Sequence, residues 1–157
     1  MTPKTATFWP VMLGVVVVDY VTKRLAVAHL EPPYTPHDVI GRALRFTLAF
    51  NPGAAFSMSL GGASRWGFTL LAIVALVLLA QVYHAAAHTD RVQSVAIALI
   101  AGGALGNLAD RLQSARGVVD FVDIGVGRWR FWTFNVADMG VTCGAILLAW
   151  VLWRRKG

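Results

Sequence analysis

The chain alternates between long apolar runs and shorter polar stretches, with the runs at residues 8–30, 66–83, 92–108 and 136–153. Each approaches the roughly 20 residues that a helix needs to cross a hydrocarbon core. The pattern predicts four transmembrane helices and two long outer loops, residues 31–65 and 109–135. An even number of spans puts both termini on one side. Residues 1–157 read as a single integral membrane domain. The first run has a competing reading as a cleaved signal peptide, with Lys4 as its basic start and Ala26-Val27-Ala28 as its cleavage site. Asp19, Lys23 and Arg24 interrupt the path to that site and argue against it.

The outer loops carry a different period. Residues 44–50 alternate loosely, as a strand does, and Asn51-Pro52-Gly53 is a turn signal. The apolar residues 54–60 suit a short interfacial helix or a second strand. In the second outer loop, Asp120-Phe121-Val122-Asp123-Ile124 leads through Gly125-Val126-Gly127 into Arg128-Trp129-Arg130-Phe131, a hairpin pattern with a glycine-bearing turn. Strands held outside lipid can pair with each other, so a small sheet on the outer surface is expected.

Composition sharpens this picture. Hydrophobic residues make up 57% and charged residues 14%, with a mean hydropathy of +0.60. A soluble domain is about one quarter charged, so the chain reads as a membrane protein. The net charge of +6 would suit nucleic acid, but the basic residues lie between and beyond the apolar runs, where they face headgroups. No nucleic-acid partner is expected. Lys4, Arg91 and the Arg154-Arg155-Lys156 tail favour termini in the cytoplasm. The opposite face carries more arginines (Arg42, Arg45, Arg65, Arg111, Arg116, Arg128 and Arg130), a set suited to phospholipid headgroups. The lone Cys143 cannot form an internal disulfide and reads as packing in the fourth run. The six tryptophans suit interfacial belts, and Gly102-Gly103-Ala104-Leu105-Gly106 reads as a surface for close helix contact.

The chemistry-bearing residues segregate. Asp19, Lys23, Asn51, Asn107, Asp110, Arg111, Asp120, Asn135 and Asp138 all fall on the outer face. The other face offers only Lys4, His84, His88, Asp90, Arg91 and the basic tail. Asp19 and Lys23 are four apart and can pair, Asn107 and Arg111 share the same spacing, and Asp110 adjoins Arg111. These groups read either as ion pairs locking helix ends or, for Arg111, as a hold on a phosphate or a substrate carbonyl.

Asp138 has no basic residue three or four positions away, and Asp120 lies in the outer loop, so neither is neutralised within a helix. If the fold brings them together, repulsion keeps one proton between them, and the pair can activate water. The alternative is structural, with Asp120 capping a strand end and Asp138 as a helix N-cap. His29 and His37 lie in the outer loop, but no serine has a nucleophile's setting. Cys-x-x-Cys, His-Glu-x-x-His and Gly-x-Ser-x-Gly patterns are absent.

Five blocks, in order, carry a resemblance: Asp19-Tyr20-Val21-Thr22-Lys23, Asn51-Pro52-Gly53-Ala54-Ala55-Phe56, Gly102 through Arg111, Gly117-Val118-Val119-Asp120-Phe121, and Phe134-Asn135-Val136-Ala137-Asp138. Over essentially its whole length the chain resembles bacterial lipoprotein signal peptidase, or signal peptidase II. The resemblance implies four transmembrane helices, a small periplasmic sheet (a β-cradle) and a short interfacial helix. It implies an aspartic endopeptidase of the inner membrane, active at the periplasmic face. Its substrate would be a diacylglyceryl-modified prolipoprotein, cut just before the lipidated cysteine. By position, Asp120 and Asp138 match the catalytic dyad. Asn51, Asn107, Arg111 and Asn135 match the polar shell, and Asp19, Lys23, Asp110 and Gly53 match supporting positions. No metal or other cofactor is implied, a monomer is expected, and family members are the target of globomycin. Met139 departs from the family, which often has a small polar residue after the second aspartate.

Two other classes compete with this reading. One is a lipid-headgroup transferase or phosphatase holding a divalent cation with Asp110, Asp120, Asp123 and Asp138. The other is a transporter using the aspartates as a proton relay. A transporter favours polar residues through the bilayer depth, whereas here they cluster at one face.

Overall fold

A computed structural model describes residues 2–53 and 64–155. Its elements run α1 (Pro3–His29), β1 (Pro36–Ile40), β2 (Leu44–Asn51), α2 (Ser64–Ala85), α3 (Arg91–Gln113), β3 (Val118–Val126), β4 (Trp129–Arg130) and α4 (Val136–Arg154). All four apolar runs are helical, and each helix extends past its run. α1 starts early because Thr2 caps it and Pro3 fills the first turn, where no backbone donor is needed. Asp90 caps α3, accepting from Gln93 N at 3.0 Å. α2, α3 and α4 are long and apolar enough to cross a membrane. The expected interfacial element at 54–60 lies outside the described residues.

α3 is the centre of the bundle and packs against α1, α2 and α4. Its small residues make that possible. A Cβ on Gly102 would meet Met12 O and Val15, and one on Gly144 would meet Ala96 O, so the backbones touch where glycine leaves room. α2 buries only Ser64 and Thr69, and Leu70, Leu71, Val74, Val77 and Leu78 face outward, as on a helix surrounded by lipid. All six tryptophans are exposed. Cys143 is exposed too, on the outer surface of α4 rather than packed inside it.

The four strands form one antiparallel sheet in the order β1-β2-β3-β4. β2 and the β3–β4 hairpin match the sequence pattern, and Gly127 takes the turn with φ +58°. β1 was not expected: all five of its residues are exposed, so it shows no alternation of apolar and polar positions. Of the two loop histidines, His29 ends α1 and His37 lies on β1. Asp123 pins the sheet, taking hydrogen bonds from Arg45 Nε at 3.0 Å, Thr47 Oγ1 at 3.1 Å and Arg130 Nε at 2.8 Å. Burial alone would raise its carboxyl, but these donors outweigh it and hold the group below its ordinary value.

Candidate active site

Sheet register places the first carboxylate. In the β2–β3 ladder Ala49 faces Asp120 and Asn51 faces Val118, so Asn51 and Asp120 share one face as diagonal neighbours. Their side chains hydrogen-bond. Asn51 Oδ1 also accepts from Gly53 N at 3.0 Å. Gly53 sits at φ +110° with no room for a Cβ beside Phe68 and Ser64, which is why glycine closes that turn.

A bridge between Val122 and Phe134 then ties β3 to the start of α4, with Phe134 N donating to Val122 O at 3.0 Å. The next residue, Asn135, is wholly buried and is the N-cap of α4. Asp138 is therefore not the cap but the third helical residue, and the two form a reciprocal capping box. Asn135 Oδ1 accepts from Asp138 N at 2.9 Å, and Asn135 N donates to Asp138 Oδ2 at 3.2 Å. Asn135 Nδ2 donates to Asp120 Oδ1 at 2.7 Å. One asparagine thus holds both carboxylates.

Behind them lies a buried polar cluster. Lys23 Nζ meets Asp19 Oδ2 at 2.8 Å, Asp110 Oδ2 at 2.9 Å and Asn107 Oδ1 at 2.9 Å. Asn107 Nδ2 donates to Asp138 Oδ1 at 2.8 Å. Asp19 Oδ1 accepts from Ala137 N at 2.8 Å, and Asp110 Oδ2 accepts from Val119 N at 3.1 Å. The expected Asp19–Lys23 pair is present but does more than lock a helix, because Lys23 joins α1 to α3. Asp110 turns to Lys23 rather than to its neighbour Arg111. Arg111 Nη1 donates to Asn107 O at 3.3 Å, and its buried Nε has no hydrogen-bond partner among the described residues.

Asp120 is 4% exposed. Burial, and then the nearby Asp138 carboxylate, push its carboxyl from 3.8 up to about 7. A cavity of about 270 Å³ opens beside Asp138 and Arg111, walled by Phe68, Leu71, Ala104 and Val141 from α2, α3 and α4. It sets an apolar channel against a carboxylate and a cation. The four carboxylates of the cation-binding alternative are not gathered: Asp123 faces Arg45 and Arg130 on the sheet, and Asp110 faces Lys23. Among the described residues no three His, Cys, Asp or Glu side chains group as metal ligands.

The sequence signals reached every residue of this cluster except the backbone donors of Val119 and Ala137. It also gave no sign of the clasp that Arg45 and Arg130 make on Asp123. That clasp follows from strand register, which pairs Arg45 with Asp123.

Residues 11–154 match the family described as Signal peptidase (SPase) II. A lipoprotein signal peptidase from Hydrogenovibrio crunogenus is 43% identical over 148 residues, covering 90% of this chain and 81% of that protein. One from Paraburkholderia phymatum is 41% identical over 150 residues, covering 91% and 87%. A bacterial membrane enzyme solved by the in meso method at 2.3 Å resolution superposes with a TM-score of 0.85 at 32% identity, over 97% of this chain and 90% of that one. Another, at 1.9 Å resolution, gives 0.82 at 33% identity, over 94% and 92%. The chain belongs to the signal peptidase II family and is a membrane peptidase.

Proposed function

We propose that Asp120 and Asp138 are the catalytic dyad with which this chain removes signal peptides from prolipoproteins. The carrying observation is Asn135, which bonds to both carboxylates while burial and Asp138 raise Asp120 to about 7. Such a pair holds about one proton near neutral pH. The ionised member takes a proton from water, and the water oxygen bonds to the scissile carbonyl carbon. The protonated member polarises the carbonyl oxygen. The C–N bond then breaks, and a proton passes to the leaving amine, giving a carboxylate and a free amine. Asn51, Asn107 and Asn135 orient the two carboxylates, and Arg111, which lines the cavity beside Asp138, holds a substrate carbonyl.

The substrate in this reading is a diacylglyceryl-modified prolipoprotein, cut before its lipidated cysteine. The apolar cavity between α2, α3 and α4 suits the greasy segments flanking that bond. All four helices span the inner membrane of a monomeric, multi-pass protein forming one domain over residues 1–157. The termini are cytoplasmic and the dyad periplasmic, because Lys4 and Arg155 stand at the helix ends opposite the dyad. Globomycin-type inhibitors would occupy the same cavity.

The test is cleavage of a diacylglyceryl-modified prolipoprotein by purified enzyme in detergent, for wild type, Asp120→Asn and Asp138→Asn, each with and without EDTA. The dyad requires that wild type cuts, that both variants lose at least about a thousandfold in rate while remaining folded, and that chelator changes nothing. A smaller loss in either variant, or inhibition by EDTA, overturns it.

A further inference from the structure

A second cavity, of about 490 Å³, lies on the far side of the Lys23 cluster, between α1, the end of α3, Gly117 and the start of β3. It is within the size range of small-ligand sites. Its two ends differ chemically. Arg24 and Arg116 stand at the outer end, and Val16 and Val17 wall the inner end. Val16 lies about 12 Å below Arg24 along the helix, a length suited to several methylenes of an acyl chain.

The charges here are not all internally satisfied. Lys23 is spent on Asp19 and Asp110, which also line the cavity. Arg24 and Arg116 make no ion pair among the described residues. Arg24 lies over the Tyr20 ring at 5.3 Å and Arg116 over the Phe50 ring at 4.1 Å, so aromatic faces hold two guanidinium groups at the cavity mouth. Phosphate geometry suits a guanidinium fork. An apolar wall beneath a cationic mouth matches a diacyl lipid better than a free phosphate, which would leave that wall unused.

We propose that this cavity is a binding site for an anionic phospholipid of the surrounding bilayer, distinct from the peptidase site. The phosphate sits between Arg24 and Arg116, and an acyl chain runs along Val16 and Val17.

The experiment is native mass spectrometry of the delipidated full chain in detergent, titrated with phosphatidylglycerol or phosphatidylcholine. Wild type is expected to take up one phosphatidylglycerol in preference to phosphatidylcholine. Arg24→Gln and Arg116→Gln each weaken that binding about fivefold, and Arg128→Gln, on the exposed hairpin, leaves it unchanged. Val17→Trp, which fills the apolar end, also weakens it, and sn-glycerol 1-phosphate does not displace the lipid. Equal binding of the two lipids by wild type, undiminished binding in both arginine variants, or displacement by glycerol phosphate overturns the proposal. Prolipoprotein cleavage by the arginine variants is measured alongside and is expected at the wild-type rate. Because lipid binding is read directly, a failure of the dyad assignment leaves this result standing.

Discussion

Lys23 donates to the carboxamide oxygen of Asn107 across 2.9 Å, and that contact fixes which end of the amide faces Asp138. Asn135 Nδ2 meets the same oxygen at 3.1 Å. With two donors on its oxygen, Asn107 has only its nitrogen left for Asp138, at 2.8 Å. A lysine on α1 thereby sets the hydrogen bonding of a carboxylate on α4 that it does not touch.

Lys23→Met is therefore expected to act twice. It leaves the buried Asp19 without its cation, a loss of about 3–5 kcal/mol where a buried pair is broken from one side. It also frees Asn107 to rotate, and a misplacement of about 1 Å at the dyad costs on the order of a hundredfold in kcat. Adding Asp19→Asn to Lys23→Met should recover much of the thermal stability but not kcat. Thermal unfolding in detergent and single-turnover cleavage separate the two effects; recovery of both together would mean that Lys23 is only structural.

The raised Asp120 carboxyl sets the direction of the pH response. The dyad works with one proton, and Asp120 gives up its proton as pH rises through about 7. Cleavage of prolipoprotein, as kcat/KM, should fall on that alkaline limb. Replacing Asn51, which hydrogen-bonds the charged form of Asp120, with alanine should move the limb to higher pH. A pH–rate profile still rising at pH 9 would exclude Asp120 as the proton holder.

The same group should make the fold less stable in alkali. Between its unfolded value of 3.8 and its folded value of about 7, the folded chain keeps a proton that the unfolded chain releases. Stability therefore drops as pH rises across that window and is level above it. Asp120→Asn removes this cost, which is at most roughly 4 kcal/mol. The variant should be inactive yet unfold at a higher temperature than wild type at pH 8, with the gap closing toward pH 4.

Much of this site was readable in the sequence because carboxylates and carboxamides beside membrane-grade apolar runs demand a reason. Asp120, Asp138, Asn107 and Asn135 stand out on that ground alone. Their helices were readable for the same cause, since apolar runs of that length have few alternatives. Pairing across the chain was not readable. Asp110 looked like a partner for Arg111, but the α1–α3 contact gives it to Lys23, 87 positions away. β1 carries no alternation, and its place depends on the edge that β2 offers. The start of α4 at Val136 coincides with its apolar run, but the sequence left open whether Asp138 is a cap, and the structure gives that place to Asn135.

Helix contact and site geometry meet at Gly106, which makes it the sharpest probe of their coupling. A Cβ there would overlap Asp19 Oδ2 and crowd Ala137 Cβ at 3.4 Å. Asp19 cannot simply swing away, because Ala137 N and Lys23 Nζ hold its two oxygens. Gly106→Ala must therefore push α1 away from α3 or break one of those bonds, an overpacking cost of about 1–3 kcal/mol. Either response reaches Lys23, and through Asn107 it reaches Asp138, so kcat should fall along with thermal stability. Gly14→Ala, on the same helix pair, meets nothing within 4 Å and should leave both nearly unchanged. Equal effects from the two substitutions would mean that helix propensity, not the Asp19 contact, governs the α1–α3 seam.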